Sequence, residues 1–154
     1  MEARRSRHRS RSTGQQGHQS YFHLFSRAWP ARAASGQNDD AWQWIDRTLN
    51  AVEASGERWC EAEVHRTAGE IALNSSDPDA AKAQAHFERA LKIARAQQAR
   101  SWELRAATGL ARLWRDQGRR TEARDLLAPI YSWFTEGFDT LDLREAKALL
   151  DNLT

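Results

Sequence analysis

At 154 residues the chain has room for one domain with a sizeable core. Hydrophobic residues make up 40% and charged residues 29%, and no run of about 18 apolar residues exists that would span a membrane as a helix. The net charge of +2 divides unevenly: residues 1–19 hold five arginines and one glutamate, whereas the remainder holds 18 basic and 20 acidic residues. The folded part is therefore expected to be slightly acidic, with the basic excess in the tail.

The one cysteine, Cys60, excludes an internal disulfide and fits a reducing cytoplasm. Three prolines and eight glycines among many Ala, Arg, Glu and Leu predict an all-α chain. Residues 1–19 carry Arg4, Arg5, Arg7, Arg9 and Arg11 among polar residues, with no apolar face. They read as a disordered basic tail, residues 20–154 being the helical domain. No apolar stretch follows the arginines, so a secretory signal is not expected. A solvated leader is favoured for this tail, and the alternative is nucleic-acid or anionic-surface binding through its arginines.

The helical pattern begins at Ser20. Tyr21, Phe22, Leu24, Phe25, Ala28 and Trp29 form a broad apolar stripe, and Pro30 predicts a break near Trp29. Gly36-x4-Ala41-x3-Ile45-x2-Thr48 then matches a later segment, Gly118-x4-Ala123-x3-Leu127-x2-Ile130, in spacing throughout. A middle copy lies between Arg58 and Gln97, where Ala68-Gly69-x2-Ala72 precedes Ala83-x3-Phe87-x2-Ala90. Asp77 or Asp79 is placed to cap its second helix, with Pro78 at the start. In the third copy Leu110-Ala111-x2-Trp114 precedes Gly118, a residue suited to the left-handed backbone that ends a helix. Beyond it come Tyr131, Trp133, Phe134 and Phe138, and then a helix capped by Asp139 or Thr140. Leu143, Ala146 and Leu150 lie on one side of that helix, which suits an end cap.

This threefold alternation of large and small apolar residues resembles the tetratricopeptide repeat (TPR), a helix–turn–helix unit. The resemblance implies three antiparallel helix pairs plus a C-terminal capping helix in a right-handed superhelix. In such a stack the first helix of each pair lines a concave groove. The groove positions are Glu63, Arg66 and Glu70 in the middle copy, and Arg105, Arg112 and Arg115 in the third. Three guanidiniums along one helix suit a carboxylate or an acidic peptide. The competing reading is an ordinary charged face neutralised by Glu63, Glu70, Glu103 and Asp116. The lysine and asparagine positions with which TPR proteins clamp a terminal carboxylate are not matched.

No phosphate-binding loop, dinucleotide fingerprint or nucleophile elbow is present, so neither catalysis nor a cofactor is expected. Glu61 and His65, at i and i+4, are half of a metal site and read better as a helix face. Cys60 reads as a core or boundary thiol. The seven tryptophans fall mostly at packing positions rather than on a stacking platform for bases.

Three segments carry a closer resemblance: Glu57–Arg66, Ala99–Ala107 and Leu113–Gly118, followed by the ending Tyr131–Thr140. They are similar to the C-terminal TPR region of large bacterial signalling proteins in which a cyclase domain precedes a P-loop ATPase. The likeness covers about residues 20–154, is dense from Asp39 onward and weakens at Ala28–Ser35. It implies a regulatory, partner-binding arm without catalytic residues of its own, and a detached or truncated gene product. A protein or peptide partner, acidic if the arginines are used, is expected. Self-association through Tyr21, Phe22 and Phe25 is also expected, whereas membrane and nucleic-acid partners of the helical part are not.

Overall fold

The computed structural model describes residues 38–56 and 58–154. Their helices are α1 (Asn38–Ser55), α2 (Glu61–Asn74), α3 (Ala80–Ala96), α4 (Arg100–Asp116), α5 (Arg120–Tyr131) and α6 (Leu141–Leu153), with a 3₁₀ turn at Arg58–Cys60 before α2. No strand occurs among the described residues. The all-α expectation therefore holds for them. The expected break near Trp29, the basic tail and the apolar N-terminal edge lie outside the described residues.

The helices begin and end for local reasons. Asp79 is the cap of α3, its carboxylate accepting from the Lys82 N–H at 2.8 Å. Pro78 thus stands before the cap rather than in the first turn. Thr140 opens α6 with an extended backbone, but its hydroxyl donates to the Gly137 carbonyl at 2.7 Å and makes no cap bond. Gly118 reverses the chain as expected, with φ at +82°. Two bonds close that turn, Gly118 N–H to Arg115 O (2.9 Å) and Arg119 N–H to Trp114 O (2.8 Å). The α3–α4 turn is closed in the same way by Gln98 N–H to Arg95 O (3.1 Å) and Ala99 N–H to Ala94 O (2.9 Å). There the left-handed position is held by Gln98, at φ +55°.

Each helix packs on its chain neighbour, and α2, α4 and α6 also touch in sequence. They form an inner row, with α3 bridging α2 and α4, and α5 bridging α4 and α6. Two matched positions of the three copies are buried alike, whereas at a third Thr48 is half-buried where Ala90 and Ile130 are buried. Ala41, Ala83 and Ala123 are buried, as are Ile45, Phe87 and Leu127 at the next turn. A methyl at each first position lets the crossing helices close up, and a large side chain fills the space beyond.

Phe87 is the largest fully buried side chain among the described residues. Burying such a ring stabilises the fold by about 3 kcal/mol. Its ring stands against Gly69 of α2 and Gly109 of α4: a Cβ would lie 2.8 Å from the ring at Gly69 and 2.5 Å at Gly109. Both helices approach the ring through bare backbone.

Gly109→Ala is expected to lower stability by about 1–3 kcal/mol through overpacking. Gln98→Gly is expected to raise it by about 1 kcal/mol by relieving a left-handed non-glycine residue. Urea unfolding of the two variants against the wild type measures both, and opposite signs are the expected result.

Candidate partner-binding face

Helical periodicity brings the groove residues to one side of the inner row. Glu63, Arg66 and Glu70 follow one another at i, i+3 and i+7 on α2, while Val64, Ala68 and Ile71 turn into the core. Glu63 is only 4% exposed, so its charge requires partners. Arg66 supplies a two-pronged bond, Nε at 3.0 Å and Nη2 at 2.9 Å. Arg105 Nη1 of α4 reaches the same carboxylate at 3.4 Å, and its Nε donates to Asp142 of α6 at 2.7 Å. Arg66 also pairs with Glu70 at 3.5 Å, and Arg112 donates to Glu145 of α6 at 2.7 Å.

Four of the six expected groove residues, Glu63, Arg66, Glu70 and Arg105, thus belong to one network, which continues into Asp142. Arg112 joins the same row through Glu145. Arg115 stands apart and pairs with its neighbour Asp116 at 2.8 Å. Of the expected neutralisers, Glu63, Glu70 and Asp116 are engaged here, but Glu103 pairs with Arg95 at 2.7 Å and lies near Arg100. The main counter-charges of Arg105 and Arg112 are instead Asp142 and Glu145, which sequence reasoning missed. Their signal was the i, i+3 acidic pair in the first turns of α6.

Along this face two guanidiniums (Arg66, Arg105) meet three carboxylates (Glu63, Glu70, Asp142) in one network, and Arg112 and Glu145 form a separate pair. The face is therefore not a store of uncommitted positive charge. A ligand on it meets alternating signs held in place by pairing.

A second cluster lies where α2 and α3 cross. His65 Nδ1 stands 3.1 Å from His86 Nδ1, so one nitrogen must donate and the other accept. Trp42 of α1 packs against the His86 ring, with the Lys82 ammonium 3.4 Å above the indole. Burial, with His86 and Arg89 adding to it and Glu61 opposing, pushes His65 down to about 4. Burial and Lys82 lower His86 as well. The half metal site gains no third ligand: Glu61 is held by Arg58 at 2.6 and 3.0 Å. No group of three potential ligands stands together among the described residues.

Cys60 is half-buried beside the cluster of Ala41, Ile45 and Val64, in keeping with a boundary thiol, though in the 3₁₀ turn rather than on α2. The tryptophans divide. Trp42, Trp44, Trp102 and Trp114 are half-buried. Trp59 and Trp133 are 42% and 51% exposed, against the packing expected of them. Both sit outside the regular helices, where periodicity carries no information. No helix among the described residues is long and apolar enough to cross a membrane.

No protein-family model, curated protein or solved structure matches this chain.

Since His65 is less basic in the folded chain than its ordinary 6.5, the folded state resists its protonation. Its share of stability is complete above pH 6.5 and is lost as pH falls toward about 4. Discounted for the partial exposure of the ring, that share is about 1–2 kcal/mol. Unfolding measured across this window for wild type and His65→Gln is expected to show the shallower slope in the variant. Separately, Arg105→Ala leaves Glu63 with one guanidinium fewer and Asp142 without its partner. It is expected to cost about 1–3 kcal/mol in a urea titration.

Proposed function

We propose that the chain is a TPR-like interaction module, a short right-handed superhelix that performs no chemistry of its own. In this reading it serves in the cytoplasm as the regulatory arm of a nucleotide-hydrolysing signalling protein of the cyclase–ATPase kind. The observation that supports the reading is the threefold recurrence of Ala41, Ala83 and Ala123, each buried. One repeat cannot bury its own apolar face, so an array of them is built to present surface. The inner row of α2, α4 and α6 supplies that surface, with its carboxylates and guanidiniums fixed by mutual bonds. A partner lying along it exchanges ion pairs rather than filling an apolar slot. Orientation and on-rate are what such a face controls best.

Purified chain is expected to turn over neither ATP nor GTP. Added to a separately expressed cyclase–ATPase portion of the same architecture, it is expected to change the nucleotide turnover of that portion saturably. Arg112→Glu, which sets a carboxylate beside Glu145, is expected to weaken the effect roughly fivefold at low salt. An unchanged rate at every concentration, with no complex detected by sedimentation, removes this function.

A further inference from the structure

We propose that the end of the stack where α2 and α4 begin is a docking site for an acidic peptide segment carrying an aromatic side chain. The inference rests on the interaction-module reading for taking a polypeptide as the occupant, and it assigns that occupant to a surface other than the inner row.

A small motif occurs twice at this end. Arg58 in the 3₁₀ turn precedes Glu61, the first residue of α2, and Arg100 and Glu103 open α4, each an arginine three residues before a glutamate. Both glutamates are buried and turned inward. α3 adds one further guanidinium to each, Arg89 at 3.9 Å from Glu61 and Arg95 at 2.7 Å from Glu103. Four guanidiniums therefore face the two buried carboxylates and Glu53 of α1, which acts on Arg58, and positive charge stays in local excess. Each guanidinium has five N–H donors, and the side chains of Arg58, Arg95 and Arg100 are more than half exposed. Donors remain on their outer edges for another anion. The buried glutamates fix Arg58 and Arg95 by hydrogen bonds without covering them, and Arg100 is held over Trp133 instead.

Aromatic rings lie between the charges. Trp59 and Trp102 have ring centroids 6.2 Å apart. Arg100 lies over Trp133 at 3.3 Å, and with Phe134 these two residues line a cleft of about 340 Å³. Gln97 Nε2 donates to the Arg58 carbonyl at 2.6 Å, so the two motifs are tied together. Tryptophan beside arginine is the combination that dominates protein interfaces. Charge selects the kind of anion. Residues 38–154 hold 16 basic and 20 acidic residues, so a long polyanion is repelled by the domain as a whole. A few carboxylates over this local positive excess are not.

The test uses the full chain and a labelled peptide of glutamates around one phenylalanine, followed by fluorescence anisotropy at low salt. Saturable binding is expected. Trp133→Ala and Arg100→Ala, both at exposed side chains, are each expected to weaken it about five- to tenfold, with unchanged helical circular dichroism. Attraction by the arginines of residues 1–19 is common to all variants and cancels in the comparison. No saturable binding, no loss in either variant, or equal binding of the peptide without phenylalanine overturns the proposal. Loss on Arg112→Glu with none on Arg100→Ala also overturns it and leaves the interaction module standing. Tighter binding of an oligothymidylate through Arg100 and Trp133 replaces the peptide with nucleic acid and overturns it too.

Discussion

Phe87 stands between two glycines, and the path of the inner row follows from that contact. Its ring meets Gly69 on α2 and Gly109 on α4 at distances that leave no room for a methyl group on either helix. A packed interior resists added volume as firmly as it resists a void, so the ring sets how close α2 and α4 come to each other. Residues 42 positions apart are thereby brought together, with Arg105 reaching Glu63 at 3.4 Å. The polar face of the row is a consequence of an apolar contact beneath it.

The ion pairs above that contact have a narrower task. Removing a carboxylate as buried as Glu63 from water costs several kcal/mol, which Arg66 and Arg105 offset without a large surplus. Their effect is on register. A turn's slip between α2 and α4 would leave Glu63 buried and unpaired, and a slip between α4 and α6 would part Arg105 from Asp142. Apolar packing of alanines and leucines tolerates small displacements. The network penalises them.

Much of the fold was legible because helical periodicity reports burial directly. The reversal at Gly118, the amphipathic last helix and the spacing around each of Ala41, Ala83 and Ala123 depend on residues within about ten positions of one another, and the alanines themselves recur at 42 and 40 residues. The turn at Gln98 was harder to read, since the left-handed position carries no glycine there and only the paired hydrogen bonds reveal it. The glycine seat of Phe87 was half visible: Gly69 belonged to the repeat pattern, but Gly109 lies outside it and meets the ring from the next helix. For the candidate face, Glu63, Arg66, Glu70 and Arg105 meet in the structure because they share sides of helices whose register the core fixes. The sequence did not pair Arg105 with Asp142, Arg112 with Glu145, or His65 with His86. Those contacts join different helices, and their partners are set by tertiary packing rather than by spacing.

The distribution of charge then separates two surfaces that composition alone would merge. On the inner row, carboxylates outnumber guanidiniums and nearly all are bound to one another. At the end where α2 and α4 start, the ratio is reversed and the glutamates face inward. Burial alone does not make the difference, since Glu63 of the row is as buried as Glu61 and Glu103; what differs is that α6 adds Asp142 and Glu145 opposite the row's arginines. A glutamate at the first turn of a helix is favoured by the helix dipole, and once buried it must recruit cations from the surface around it. Each recruited arginine presents its remaining donors outward, so a buried acid produces an exposed basic patch. The same residue type thus acts in opposite senses: Asp142 and Glu145 cancel charge across the row, whereas Glu61 and Glu103 gather it at the rim.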